Sequence, residues 1–87
     1  MTLQLYHRWQ CPYSKRVRDY IDEHRLNDRI EFIELGEAPD AEDRLDDLTG
    51  RSQVPCLVID GEPMLESGDI VQWLQTNLTD RGKGTPA

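Results

Sequence analysis

Long apolar runs are absent from this chain, and so is any excess of positive charge. No stretch nears the roughly 20 apolar residues a membrane-spanning helix needs, and no apolar run opens the chain, so a soluble, unexported protein is expected. Acidic residues number 17 against 10 basic ones, a formal charge of −7 that argues against nucleic acid or an anionic membrane as partner. Only two cysteines occur, Cys11 and Cys56, too few for a disulfide scaffold. A reducing, cytoplasmic setting is the natural reading. His7 and His24 have no cysteine or carboxylate neighbours at metal-site spacing, so no metal is expected. The acidic stretch 40–47 lacks the spacing of a calcium loop and reads as a solvated helix face. In 87 residues, 37% of them hydrophobic, one small core fits and a second domain does not.

What is present alternates clearly. Thr2–Tyr6 places Leu3 and Leu5 on one face and predicts a strand. Pro12 opens a helix to about Arg25, with Tyr13, Val17, Tyr20, Ile21 and His24 at helical spacing and Lys15–Asp19 and Arg18–Asp22 as pairs four apart. Ile30–Leu35 reads as a second strand. Asp40 is placed to cap a helix that turns Ala41, Leu45 and Leu48 inward and stops near Gly50. Cys56–Ile59 is a short strand, Asp60-Gly61 a hairpin signal, and Met64–Leu65 a brief edge strand that tolerates Pro63. Ser67 to about Leu78 forms the last helix, with Ile70, Val71, Leu74 and Leu78 on one side. The order β-α-β-α-β-β-α predicts a mixed four-stranded sheet flanked by helices over residues 1–78, and a mobile tail over 79–87.

Cys11 stands where the first strand has ended and the first helix begins. Pro12 suits the first helical position, because its missing N–H has no partner to lose there. Cys11 is then the cap, with free backbone N–H groups and the helix dipole favouring thiolate over thiol. Arg8, Lys15 and Arg16 add positive potential. A thiolate is the species that attacks disulfides, so the placement has a chemical use. The alternative is a small buried hydrophobe, which the polar neighbours Gln10 and Ser14 do not resemble.

Cys11-Pro12-Tyr13-Ser14 resembles the Cys-Pro-Tyr-Cys signature of glutaredoxins, with Ser14 in place of the second cysteine. The run Cys11–Arg18 is similar to the helix start of cysteine-using glutathione transferase N-terminal domains. Both families share the thioredoxin-like fold, and the resemblance covers residues 2 to about 78. It implies further roles, beside which the solvated or carboxylate-reaching reading of Arg51 and Gln53 rests on their place in the chain alone. Val54-Pro55 is similar to the cis-proline loop, where the valine backbone pairs with glutathione as an added strand does. Glu66-Ser67 resembles the pair that holds the γ-glutamyl end, with the helix N-terminus receiving the carboxylate; Ser67 as a simple N-cap is the plainer reading. Tyr13 packs beside the thiol, and Gln53, with Arg51, is placed to reach the glycine carboxylate or else is merely solvated.

The activity this implies is glutathione-dependent reduction of mixed disulfides, with Cys11 as the single nucleophile. Glutathione is the co-substrate, and glutathionylated proteins or small mixed disulfides are the partners of a monomer or weak dimer. Ser14 cannot form a second disulfide, so the cycle is monothiol; its plain role is a polar residue in a first helical turn, with a weak hydrogen bond to the sulfur. Two other functions compete. A glutathione transferase normally adds a helical domain that shapes an electrophile pocket, and the chain stops before one. An iron–sulfur or glutathione-binding module without turnover is the third, although Pro12 matches the usual Cys-Gly-Phe-Ser motif of cluster carriers poorly. Cys56 reads first as a buried strand cysteine and second as a resolving thiol. Trp9 is placed to line the groove or touch substrate. Tyr6 invites comparison with a catalytic tyrosine that a helix-start cysteine makes redundant.

Overall fold

The alternation Leu3-Gln4-Leu5-Tyr6-His7 does form a strand, but one residue later than Thr2–Tyr6. In a computed structural model describing residues 1–79, β1 spans Leu3–His7, α1 Pro12–Glu23, β2 Glu31–Glu34, α2 Ala41–Thr49, β3 Cys56–Ile59, β4 Glu62–Met64 and α3 Ser67–Leu74. A single 3₁₀ turn over Asn27–Arg29 precedes β2, and a π turn over Gln75–Thr79 continues α3. The expectation of a mobile tail over 79–87 lies, from residue 80, outside the described residues. Thr79 is held, its Oγ1 receiving the Tyr20 hydroxyl at 3.1 Å.

The sheet order is β2-β1-β3-β4. β1 runs parallel to β2 from Gln4↔Glu31 to His7↔Glu34, and antiparallel to β3, whose other side pairs with β4. Asp60 and Gly61 both have positive φ, the signature of the two-residue turn that matches strand twist. Because side chains alternate along a strand, the two faces bury different sets. Leu3, Leu5 and Leu57 pack with Val17 and Ile21 of α1 and Ile70 and Leu74 of α3. Tyr6, Cys56 and Val58 pack on the other face with Ala41 and Leu45 of α2.

The helix boundaries depart from expectation in three places. α1 stops at Glu23 because Arg25 turns left-handed at φ 56°, and the Leu26 N–H closes onto the Ile21 carbonyl at 2.9 Å. His24 therefore leaves the helix and stacks on Tyr20, with ring centroids 4.2 Å apart. Asp40 occupies the cap of α2 but makes no side-chain cap bond, whereas Gly50 ends the helix at φ 81° as anticipated. Leu48, expected inward, is 40% exposed: α2 is only nine residues long, and Ala41 and Leu45 are the residues it buries. Leu45→Ala should accordingly cost about 2–5 kcal/mol in urea unfolding, and Leu48→Ala well under about 1 kcal/mol; equal losses at both positions would contradict this packing.

Candidate active site

Cys11 caps α1 as the Pro12 argument requires. Its backbone is extended and its Sγ accepts the Ser14 N–H at 3.4 Å. The sulfur also lies 3.9 Å from the Val54 carbonyl oxygen, across from the Val54–Pro55 bond, which is cis. Burial works against ionisation here. The Ser14 N–H and hydroxyl, the Tyr13 N–H and the Arg18 charge together outweigh it, and hold the thiol below its ordinary pKa.

A cleft of about 330 Å³ opens beside the sulfur, lined by Tyr13, Gln53, Val54, Pro55, Glu66 and Ser67. The fold thus brings together three sequence segments singled out separately. Tyr13 does not face the core as its helical spacing suggested; at 64% exposure it forms a wall of the cleft. Gln53 lines the cleft while its Oε1 accepts from Arg51 Nη1 at 3.1 Å, and Arg51 itself stays on the surface. The last helix begins one residue earlier than Ser67 as its N-cap would place it. Glu66, at φ 66°, is the cap and Ser67 the first helical residue, 8% exposed and turned to the cleft. The N–H groups of Ser67, Gly68 and Asp69, in the first turn, have no acceptor within the helix.

Cys56 is fully buried on β3, within the α2-side core, and burial pushes its thiol up to about 11. Both cysteines are free. Trp9 is 56% exposed and faces a second groove, with Arg18, Asp19, Asp22, Asn27 and Phe32, rather than the cleft. Its indole N–H donates to Glu37 at 2.7 Å. Tyr6 is buried among core residues and is no part of the cleft. Among the described residues no cluster of three metal-ligating side chains occurs, and no helix is long and apolar enough to cross a membrane.

The roles of Arg18, His7 and Glu34 escaped the sequence reading, and Ser14 does more than it foresaw. Ser14 is fully buried, and its hydroxyl accepts the Arg8 N–H at 3.3 Å. Lys15 pairs with Asp19 at 2.7 Å as foreseen, but Arg18 does not pair with Asp22. Arg18 turns instead to the Arg8 and Trp9 carbonyls and to Nδ1 of the buried His7. An arginine only donates, so that Nδ1 accepts and the ring proton sits on Nε2; burial and the Arg18 charge keep His7 neutral by lowering its pKa. Cys11, Ser14 and Arg18 are spaced three and four apart, the one signal that could have found Arg18. Glu34 is also buried, with its carboxyl kept ionised by the Trp9 N–H and, against burial, by those of Gly36 and Glu37.

A family profile described as the glutathione S-transferase N-terminal domain matches residues 10–77. No curated protein matches the chain. Among solved structures, glutathione transferase Omega 3C from Trametes versicolor has a TM-score of 0.74 at 24% identity, covering 99% of this chain and 36% of that one. A diazinon-metabolizing glutathione S-transferase of the silkworm Bombyx mori scores 0.71 at 23% identity, covering 99% and 41%. Oxidized glutaredoxin 2 from Chlamydomonas reinhardtii scores 0.66 at 20% identity, over 92% of this chain and 77% of that one. These likenesses carry the fold, and the chain spans well under half the length of the two transferases. With a thioredoxin-like fold and a family match across most of its length, the chain belongs to the glutathione S-transferase N-terminal domain family.

Proposed function

We propose that this domain binds glutathione in the cleft beside Cys11 and reduces glutathione mixed disulfides by a monothiol cycle. The observation that carries the reading is a thiol capping a helix, its sulfur accepting the Ser14 N–H at 3.4 Å and lying 3.9 Å from the Val54 carbonyl that edges the cleft. In the first step the Cys11 thiolate attacks the glutathione sulfur of a mixed disulfide. A Cys11–glutathione disulfide forms, and the other thiol leaves as thiolate and takes a proton from water. A second glutathione thiolate then attacks the glutathione sulfur on Cys11, releasing oxidised glutathione and restoring the Cys11 thiolate. The net exchange is one mixed disulfide plus one glutathione for one free thiol plus one oxidised glutathione.

The cleft residues divide the glutathione molecule between them. The Val54 backbone takes its cysteine moiety as an added strand. The N-terminus of α3 with Ser67 receives the γ-glutamyl carboxylate, Glu66 faces the ammonium, and Gln53 meets the glycine end. Tyr13 covers the sulfur. The substrates in this reading are small or protein mixed disulfides in a reducing cytoplasm. Ser67→Ala removes one hydrogen bond to a charged group, so KM for glutathione should rise about tenfold or more with kcat nearly unchanged. An unchanged KM would remove Ser67 from the binding groups.

The family match favours a second reading, in which the same cleft serves conjugation of glutathione to electrophiles. One pair of assays separates the two: glutathione-coupled reduction of a small mixed disulfide, and conjugation of a chromogenic aryl halide. Turnover of the disulfide with little conjugation is expected. Conjugation alone would transfer the assignment to the second reading, and neither activity would leave a binding domain.

A further inference from the structure

The stretch between β1 and α1 has no sheet partner, since the register with β2 ends at His7↔Glu34 and the helix starts at Pro12. Its backbone polar groups still require partners. Those of Arg8 and Trp9 find them in side chains from two neighbouring elements. The Arg8 N–H donates to Ser14 Oγ at 3.3 Å, and the Arg8 carbonyl accepts from Arg18 Nη1 at 2.9 Å. The Trp9 N–H donates to Glu34 Oε2 at 3.0 Å, and the Trp9 carbonyl accepts from Arg18 Nη2 at 3.3 Å. All four groups are held, two of them by one guanidinium.

The holders are themselves fixed. Arg18 Nη1 also bonds His7 Nδ1 at 3.2 Å, and the guanidinium lies over the Trp9 ring, 4.9 Å from its centroid. Glu34, only 7% exposed, spends its other oxygen on the N–H groups of Gly36 and Glu37, at 2.6 and 3.0 Å. The loop then hands its geometry to the nucleophile, because the Cys11 N–H donates to the same Arg8 carbonyl at 3.2 Å. A displaced Arg8 carbonyl displaces Cys11, and with it the sulfur from the Ser14 N–H.

We propose that Arg18 and Glu34 are positioning residues for Cys11, gripping the Arg8–Trp9 backbone from α1 and from the end of β2 so that the sulfur stays seated at the helix mouth. Neither touches the sulfur. The forked shape of Arg18 is essential, since one cation must reach two carbonyls and a ring nitrogen, which a lysine ammonium on a flexible stem does poorly. The inference rests on Cys11 being the nucleophile of the proposed cycle.

The test compares the native chain with Arg18→Lys, Arg18→Met and Glu34→Gln, each checked for folding by thermal melting. The first readout is the apparent pKa of Cys11, from the pH dependence of iodoacetamide alkylation located on the Cys11 peptide by mass spectrometry. It needs no glutathione. The second is kcat and KM for a glutathione mixed disulfide. A raised Cys11 pKa is expected in all three variants, with kcat down about tenfold and KM within about twofold, as for misplacement of a reacting group. Arg18→Lys should do no better than Arg18→Met. Native pKa and kcat in Arg18→Lys and Glu34→Gln would overturn the proposal, as would full rescue by lysine, which would reduce Arg18 to a charge. Should Arg18→Met not fold, the lysine and glutamine variants decide. Should the native chain show no turnover, the glutathione reading fails while the alkylation arm still decides this one.

Discussion

Cys11→Ser should abolish glutathione-coupled turnover, by a factor on the order of 10³ or more, while Cys56→Ala should leave it within about twofold. The first half follows from the reaction itself: only a thiolate forms the mixed disulfide on which the cycle turns, and a serine hydroxyl offers no comparable nucleophile. The second half follows from the sheet. Cys56 sits with Tyr6 and Val58 on the α2 side, whereas Cys11 caps the helix that covers the opposite side with Leu5. A thiol on the far side of the sheet, fully buried, cannot resolve a disulfide at the helix mouth without unfolding of β3. Alanine is the better probe than serine at position 56, because a hydroxyl there would be buried among apolar side chains. Turnover that vanishes in a folded Cys56→Ala chain would make Cys56 a working thiol. Turnover that survives Cys11→Ser would move the nucleophile elsewhere and take the proposed cycle with it.

How much of this was legible in the sequence depends on the range of the interaction concerned. Pro12 announces its helix start and therefore the place of Cys11, because proline's effect is local. Asp60-Gly61 announces its turn for the same reason. The partition of the core into two faces also follows from alternation, while Tyr13, in the first turn of α1, and Leu48, near the end of α2, are exposed although helical spacing places them inward. Helix ends without a glycine were harder. Nothing in Glu23-His24-Arg25 distinguishes a left-handed arginine from one more helical turn, so α1 was read two residues too long. The cleft was assembled from motifs whose roles came by resemblance, since spacing alone does not bring residues 13, 54 and 66 together.

The polar clamp behind Cys11 was invisible for a different reason. Arg18 and Asp22 stand four apart on a helix, and local geometry rates that pair as favourable at a few tenths of a kcal/mol. Two carbonyls and a ring nitrogen held within 3.3 Å outbid it, but those acceptors belong to a loop whose path the helix sequence does not encode. Glu34 shows the same limit. A glutamate between Ile33 and Leu35 reads as the solvent-facing residue of an alternating strand. It is instead buried because three backbone N–H groups, from Trp9, Gly36 and Glu37, converge on it.

The other large expected effect is alkaline loss of stability through Cys56. In the folded chain burial holds this thiol protonated up to about 11, against a slight opposing pull from the Met64 N–H, while its ordinary value is 9.0. The folded state therefore binds the proton more tightly than the unfolded one. Its contribution is fully present below pH 9 and is lost as the pH climbs toward 11, because unfolding then releases a proton. Two pH units correspond to about 3 kcal/mol, a large share of the stability of so small a domain. Cys11 has the opposite sign: with a folded pKa below the ordinary value, it stabilises above pH 9 and loses that contribution as the pH falls through its folded value. The comparison is best made in a Cys11→Ser background, by urea unfolding between pH 8 and 11 with and without Cys56→Ala. The chain retaining Cys56 should lose about 2–3 kcal/mol more than its alanine counterpart over that interval. Parallel curves would mean that Cys56 titrates normally and is reachable by solvent, and its thiolate would then compete with Cys11 for every disulfide the cleft admits.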